Sequence, residues 1–178
     1  DEEFGNVCQK APIYPGVLEA PKMRAVLAEL ELELRRSVKT EDPFSSNLGH
    51  LDIDHILPQS WYEHWPLIDA SKVEWSEVES IRKKQWIDMP LNDREITISE
   101  RENAVKTLGN LTLLNLSVNR AAQNKSFTVK KKLLLANTNL RLNVPLLGME
   151  KWNEETIVNR GELLAESALR IWPGVRAE

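Results

Sequence analysis

LDIDHILPQSW, at residues 51–61, is the most informative stretch of the chain. Its first half alternates apolar and acidic residues, a pattern that predicts a short strand with one buried face. Pro58 cannot donate to a strand ladder, so we expect the strand to end before it. Asp54 and His55 are neighbours and would point to opposite faces of a regular strand. They can serve one substrate only if the chain departs from the strand at His55.

A second informative stretch is LGNLTLLNLSVNRAAQNKSF, at residues 108–127. Its Gly-Asn pair predicts a turn, the apolar residues after it predict a strand over 111–114, and a helix is expected within 119–136. Asn110 thus precedes the strand and Asn119 lies near the start of the helix, where amide oxygens can bind a hard cation. Turn formation and helix capping are the commoner uses of Asn at such places. The residues alone leave the structural and the metal-binding interpretation open.

Helices are predicted on both sides of these strands. Residues 21–38 begin with proline and carry apolar residues at helical spacing, which predicts an amphipathic helix. Residues 71–88 are expected to form another helix, with Ser71 as its N-cap. A short helix is expected over 100–107. The candidate buried positions in the 71–88 segment are Val73, Val78, Ile81 and Trp86.

The closing helix has the clearest start signal. Asn153 is a good N-cap, and Trp152 before it can pack on Ile157 as a hydrophobic staple. The helix is expected to run until Pro173-Gly174, which cannot extend it. Gly161 is costly in the middle of a helix, so a kink or a break there is an open alternative.

The composition is that of an ordinary globular protein. The chain has 178 residues, of which 42% are apolar and 28% charged, and no apolar run is long enough to span a bilayer. Cys8 is the single cysteine, which excludes an internal disulfide and favours a reducing, cytoplasmic setting. The acidic beginning at Asp1 has neither an initiator Met nor a signal-peptide pattern, so we expect a fragment of a longer chain.

The charge is unevenly distributed along the chain. The net charge is −4, yet residues 101–145 carry eight basic side chains and one acidic one, Glu102, a local net charge of +7. Such a segment in an acidic chain indicates a surface that binds a polyanion, although a solvated helix face would have the same composition. The basic residues are Arg101, Lys106, Arg120, Lys125, Lys130, Lys131, Lys132 and Arg141.

These parts suit the hydrolysis of a phosphodiester. The reaction needs a base to deprotonate water, and positive charge to stabilise the phosphate and the leaving oxygen. A neutral imidazole such as that of His55 suits the first task because its pKa lies near neutral pH. A hard cation held by oxygen ligands can supply the charge, and Mg²⁺ or Mn²⁺ suits a site without thiols. The alternative interpretation is that His55 is a partly buried loop histidine and not the base.

The order of these features resembles the HNH nucleases, whose ββα-metal core is two antiparallel strands and a helix around one divalent ion. It is most similar to the C-terminal domain of GmrSD-like modification-dependent restriction endonucleases, including relatives that sense phosphorothioated DNA. The resemblance covers roughly residues 14–173. The third residue of the motif would be Asn119, an asparagine in place of the second histidine. The matching parts are His55 to Gln59, Leu108 to Leu114, Asn119 to Asn124, Phe127 and Lys130.

The resemblance implies a role for each motif residue. His55 would be the general base, Asp54 and Asn119 would hold the metal, and Asn110 would help to orient His55 or its loop. Asn124 is a rival to Asn119 as the ligand. His50 and His64 have no motif position and are expected in a loop and an aromatic cluster. Phosphate contacts are implied for the basic residues Arg120, Lys125, Lys130, Lys131 and Lys132.

The resemblance also implies an architecture. The fold would be α+β and mainly helical, with a ββα-metal core of a short antiparallel hairpin plus a helix, surrounded by further helices. We expect a single nuclease domain over 1–178, with a leading helix and loop at 14–50, the core at 51–136 and a closing helix at 150–173. A helical insert at about 61–107 is rich in tryptophan, which we interpret as packing on the core rather than as a wall of a DNA groove.

The implied function is metal-dependent cutting or nicking of DNA, modified or not, by an antiviral restriction protein. An upstream nucleotide-hydrolysing or sensing domain of the same chain would control the cut. The alternative is a DNA-binding or regulatory module that has the fold without the cutting. A third interpretation, a wholly helical interaction domain, would be excluded by antiparallel pairing of the two predicted strands.

Overall fold

The computed structural model describes residues 11–36 and 48–173. In these ranges, seven α-helices and two strands form a mainly helical α+β fold, which confirms the predicted fold class. Short 3₁₀ turns precede the second strand and follow the first. The helices are α1 (Ala20–Arg36), α2 (Trp75–Trp86), α3 (Asp93–Val105), α4 (Leu116–Ala122), α5 (Phe127–Asn137), α6 (Val144–Gly148) and α7 (Glu154–Ile171), and the strands are β1 (Asp52–His55) and β2 (Leu111–Leu114).

The two strands pair antiparallel, with Asp52 opposite Leu114 and His55 opposite Leu111. This pairing confirms both predicted strands and excludes the wholly helical interpretation. All four residues of β2 are buried, so the small sheet lies inside the fold. No tight turn joins the strands, because α2 and α3 lie between them in the chain.

Two apolar clusters surround the sheet. One unites α1, β2 and α7 through side chains such as Leu27, Leu113 and Leu164. The other unites the insert with α7 through side chains such as Ile81 and Ile157. The strands are therefore held from both sides, and α7 contributes to both clusters. The predicted first helix is confirmed over its described part, while Cys8, Ser37, Val38 and Gly174 lie outside the described residues.

α2 begins later than predicted. Its N-cap is Glu74, which forms a capping box with Glu77, whereas the predicted cap Ser71 accepts a hydrogen bond from Arg94. The buried positions Val73, Val78 and Ile81 are confirmed. The predicted burial of Trp86 is wrong, because this residue is 89% exposed. The reason is geometric: five residues after Ile81, it lies about 140° around the helix from that buried position.

The tryptophans of the insert divide into two groups. Trp61 and Trp65 are buried, as the packing interpretation predicts, whereas Trp75 is 44% exposed. α3 is longer than the predicted 100–107 because Asn92 caps it, with Glu95 completing a capping box. The same Asn-x-x-Glu pattern is visible in the sequence, so this start could have been found.

The segment after β2 forms two helices. Asn115 caps α4 by accepting from the Val118 N–H, so Asn119 lies inside the helix and is not its cap. α4 ends at Ala122, its C-cap Gln123 has a φ of 30° in the left-handed region, and α5 starts after this break. The break separates Asn119, in α4, from the residues of α5.

α7 starts as predicted and continues without a break. The Asn153 side chain accepts from the Thr156 N–H, and Trp152 and Ile157 are both buried in one cluster. The helix runs through Gly161, where it passes close to Gly109. A Cβ at Gly109 would collide with the Ile157 carbonyl, so only glycine allows this close approach. None of the helices in ranges 11–36 and 48–173 is long and apolar enough to cross a membrane.

Candidate active site

A polar cleft of about 450 Å³ opens between the end of β1 and α4. It brings together three side chains that the sequence singles out, those of Asp54, His55 and Asn119, and the rival ligand Asn124. The predicted residue Asn110 is not among the residues of the wall. The full lining is Ile53, Asp54, His55, Pro58, Gln59, Ser60, Asn119, Gln123 and Asn124.

His55 is half-buried at the last position of β1. Its ring stacks on that of Tyr14, with centroids 5.6 Å apart and an interplanar angle of 19°. Nε2 lies 3.4 Å from the Tyr14 carbonyl oxygen and 3.5 Å from Gln59 Nε2. Burial lowers the pKa of His55 to about 4, so the ring is neutral at neutral pH. Nothing in the sequence signals Tyr14, which is 41 positions from His55.

Asp54 is buried and paired with Lys130. Lys130 Nζ lies 3.0 Å and 3.3 Å from the two carboxylate oxygens and 2.6 Å from the His55 carbonyl oxygen. Burial raises the pKa of the Asp54 carboxyl and lowers that of the Lys130 ammonium, while their mutual attraction opposes both shifts. One ammonium therefore fixes the backbone and the carboxylate at the end of β1.

Lys130, for which a phosphate contact was predicted, is instead engaged inside the protein. Its side chain is 2% exposed and its ammonium is engaged by Asp54 and the His55 carbonyl. Lys131 is also engaged, since its Nζ donates to the Met149 carbonyl at 2.7 Å. The exposed members of the predicted set are Arg120, Lys125 and Lys132.

Asn110 is fully buried, and its amide holds the loop that leaves β1. Its Oδ1 accepts from the Leu57 N–H at 2.8 Å and from Trp152 Nε1 at 3.0 Å. Its Nδ2 donates to the carbonyls of Leu57 and Val105, each at 2.8 Å. The side chain thus connects three segments and sets the course of the chain two residues after His55.

The two candidate amide ligands both face the cleft. Asn119 and Asn124 are each half-buried, on either side of the left-handed Gln123. Asn124 Nδ2 donates to Glu63 at 3.0 Å, an arrangement that leaves its Oδ1 for another partner. Gln59 and Gln123 add two further amides to the wall, and the sequence analysis assigned neither of them a role although both lie within the motif stretches.

The donor atoms of the cleft suit a hard divalent cation. A carboxylate from Asp54 and amide oxygens from Asn119 and Asn124 are ligands that Mg²⁺ and Mn²⁺ accept. Across the described ranges, no group of three or more His, Cys, Asp or Glu side chains is placed to hold a metal. A cation here would therefore rely on one carboxylate, which already faces the Lys130 ammonium, and on neutral oxygens.

Arg160 supports the site from α7. It is buried, and its guanidinium donates to the carbonyls of Gly109, Leu111 and Leu142 at 2.6, 2.8 and 3.2 Å. Burial lowers the pKa of Arg160 to about 9, which keeps it charged at neutral pH. Charge-assisted hydrogen bonds of this kind are about twice as strong as neutral ones. α7 thereby fixes the entry of β2, against which His55 pairs.

The comparison with known families gave one match. A family model described as GmrSD restriction endonucleases, C-terminal domain, matches residues 1–167. The matched range includes every residue of the cleft and of its supports in α7. No curated protein and no solved structure gave a significant match.

Proposed function

This chain belongs to the family of GmrSD restriction endonuclease C-terminal domains, and we propose that it hydrolyses phosphodiester bonds of DNA in the cleft beside His55. Membership of the family makes it a nuclease module related to restriction, with DNA as the substrate. One observation carries the finer assignment to an HNH-type site. A neutral His55, the Asp54 carboxylate and the Asn119 amide line the same polar cleft.

His55 is the general base of the proposed reaction. In the tautomer with the proton on Nε2, that nitrogen donates to the Tyr14 carbonyl and leaves the lone pair on Nδ1. That lone pair takes the proton from the attacking water. The Tyr14 ring restricts the imidazole on one face, which limits its rotation away from the reacting atoms.

Asp54 and Asn119 would hold the divalent metal, with Asn124 as the rival to Asn119. Such a cation, Mg²⁺ or Mn²⁺, supplies positive charge for the scissile phosphate and the leaving oxygen when bound. Asp54 is kept in place by Lys130, and Asn110 keeps the loop after His55 in place. Arg120, Lys125 and Lys132 are the exposed cations available to the flanking phosphates.

The wider role follows from the family as a proposal. The nuclease would act in the cytoplasm as part of an antiviral restriction protein, under a nucleotide-hydrolysing or sensing domain that reads the DNA. The runner-up function is a DNA-binding or regulatory module that does not cut. The observation that favours it is that Asp54, the one carboxylate lining the cleft, is already paired with Lys130.

The test is relaxation of supercoiled plasmid with Mg²⁺, Mn²⁺ or EDTA. We expect metal-dependent nicking by the wild type, a loss of at least about 100-fold in His55→Ala because the base is removed, and a large loss in Asn119→Ala. His50→Ala is the matched control, since His50 is exposed in the turn before β1 and is not part of the cleft.

Three outcomes are informative. Nicking that is lost in His55→Ala and kept in His50→Ala supports the base assignment. Nicking by His55→Ala at the wild-type rate refutes it. A folded wild type that binds DNA and never cuts, with any of the metals, supports the non-cleaving module. Thermal unfolding of each variant shows whether the loss comes from the site or from the fold.

A further inference from the structure

The Asp54 carboxylate faces both the polar cleft and the ammonium of Lys130. Asp54 lines the cleft, whereas Lys130 is not part of its wall and has a side chain that is 2% exposed. Lys130 Nζ carries three N–H groups, and three acceptors surround it: both carboxylate oxygens of Asp54 and the His55 carbonyl oxygen. The ammonium is therefore fully engaged inside the protein and has no N–H group left for a ligand in the cleft.

This pairing leaves Asp54 able to bind a cation. A carboxylate has about four acceptor positions on its two oxygens, and Lys130 takes one at each oxygen. The side chain of Asp54 is 9% exposed, at a position that lines the cleft. What Lys130 changes is thus the net charge of the carboxylate, and not its capacity to act as a ligand.

The rest of the cleft wall adds no negative charge. Asp54 is the one carboxylate among the described residues that line it. The affinity of a site for a hard cation depends on the number of charged ligands. Because Lys130 cancels the charge of Asp54, a divalent cation would enter a cleft that is close to neutral. Besides the His55 imidazole, the other polar side chains of the wall are the uncharged Gln59, Ser60, Asn119, Gln123 and Asn124.

We propose that Lys130, acting through Asp54, keeps the affinity of the cleft for a divalent cation low. An ion at about 2.1 Å from either carboxylate oxygen would lie within about 5.5 Å of Lys130 Nζ. At that separation, repulsion between the ammonium and a doubly charged ion weakens binding by about tenfold even with the dielectric constant of water. The proposal rests on the proposed nuclease function, because only that function makes Asp54 a metal ligand.

A weak metal site of this kind suits the proposed hydrolysis. Ligands that neutralise a cation also reduce its attraction for the phosphate, whereas amide oxygens and a paired carboxylate leave most of its charge uncancelled. Substrate phosphates are common further ligands of Mg²⁺. Lys130 is then a positioning residue that fixes Asp54 and sets the metal affinity, and its pairing with Asp54 is compatible with cutting.

The experiment measures Mn²⁺ binding to the whole chain without DNA, from the signal of free Mn²⁺ in electron paramagnetic resonance at constant ionic strength. We expect a dissociation constant of about 1 mM or weaker for the wild type. Lys130→Met has a similar size and no charge, and it should bind Mn²⁺ at least about tenfold more tightly. Mn²⁺ should also raise its melting temperature more than that of the wild type. A purely structural role for Lys130 predicts the opposite, because a loosened Asp54 would bind the cation less well.

Two variants serve as controls. Lys132→Met removes an exposed charge from the same helix, outside the cleft, and should bind Mn²⁺ like the wild type. Asp54→Asn combined with Lys130→Met removes both charges of the pair, a change that stability often tolerates. This double variant should lose the gain in affinity because the carboxylate is missing. A gain that survives in it would place the cation elsewhere and overturn the inference.

The remaining outcomes separate the role of Lys130 from the metal site itself. Wild-type binding tighter than about 10 µM would overturn that role and leave the metal site in place. A folded Lys130→Met that binds Mn²⁺ no more tightly than the wild type would do the same. If Lys130→Met is unfolded without metal, Mn²⁺ should fold it, and a failure to fold also overturns the role. No saturable Mn²⁺ binding by any of these chains would overturn the metal site and the inference together.

Discussion

At the end of β1, one ammonium group holds two neighbouring residues. Lys130 binds the carboxylate of Asp54 and the backbone carbonyl of His55, and almost none of its side chain reaches solvent. Removing two charges from water costs several kcal/mol per ion, a cost that good geometry and further hydrogen bonds only partly offset. The arrangement fixes the position at which the proposed base and the proposed ligand diverge.

Replacing Lys130 by Met should therefore destabilise the fold. The Asp54 carboxylate would stay buried without its cation, and breaking such a pair costs about 3–5 kcal/mol of unfolding free energy. Lys132→Met is the control, because Lys132 is exposed two positions later on α5 and should change stability by less than about 0.5 kcal/mol. Urea unfolding measures both. Equal midpoints for the two variants would show that the pair contributes nothing.

At this scale the sequence predicted which residues meet, but not how they are held. Asp54, His55 and Asn119 were identified from their motifs, and all three line one cleft. The Asp54–Lys130 pair joins positions 76 apart, and no local pattern encodes it. Lys130 is the first of three consecutive lysines, and the local sequence does not indicate which of them is buried. The role of Lys130 therefore follows only from the three-dimensional path of the chain.

Among the helices and strands, α7 and the turn before β2 lie in close backbone contact. Gly109 lies directly against the backbone of α7 at Ile157 and Gly161, which leaves no space for a side chain. The absence of a Cβ at Gly109 lets the helix approach the turn that carries Asn110.

Gly109→Ala should force α7 away from the turn and lower the unfolding free energy by about 1–3 kcal/mol or more, as overpacking does. The matched control is Gly148→Ala, because a Cβ at that position would have no atom within 4 Å. It should leave stability unchanged within about 0.5 kcal/mol. Thermal unfolding compares them. If both variants melt at the same temperature, the contact is looser than the structure indicates.

The elements themselves were predictable where a period or a cap was strong. The strands, α1 and the start of α7 follow from alternation, apolar spacing and the Asn153 cap. The start of α2 was not predicted, because its N-cap is Glu74, and glutamate is a less common N-cap than the serine at Ser71. The separation of α4 from α5 depends on the left-handed Gln123, a conformation that nothing in its local sequence requires.

For the molecule as a whole, the basic segment 101–145 is not one surface. Arg101 and Lys130 are buried in ion pairs, and Lys131 bonds a backbone carbonyl. The cations left exposed around the cleft and the start of α5 are fewer than the local charge of +7 suggests. The composition of the segment therefore overstates the positive charge that it presents to solvent.

The salt dependence of DNA binding should follow the exposed cations. Combining Arg120→Gln, Lys125→Gln and Lys132→Gln should reduce the slope of log K against log salt by about 0.9 for each phosphate that the protein no longer neutralises. Lys22→Gln, an exposed cation on α1, should leave the slope unchanged. Anisotropy titrations at several salt concentrations give the slopes. An unaltered slope in the triple variant would mean that DNA passes over another face.

The support that α7 gives to the site has a consequence for how the protein is made. The cleft is lined by residues 53–124, but Trp152 and Arg160, which fix its strands and turn, come later in the chain. The ribosome therefore synthesises the residues of the cleft well before it synthesises α7, which holds the strands and the turn of the site in position. A chain interrupted before α7 would carry every residue of the cleft without Trp152 and Arg160, so we expect such a product to lack the proposed nuclease activity.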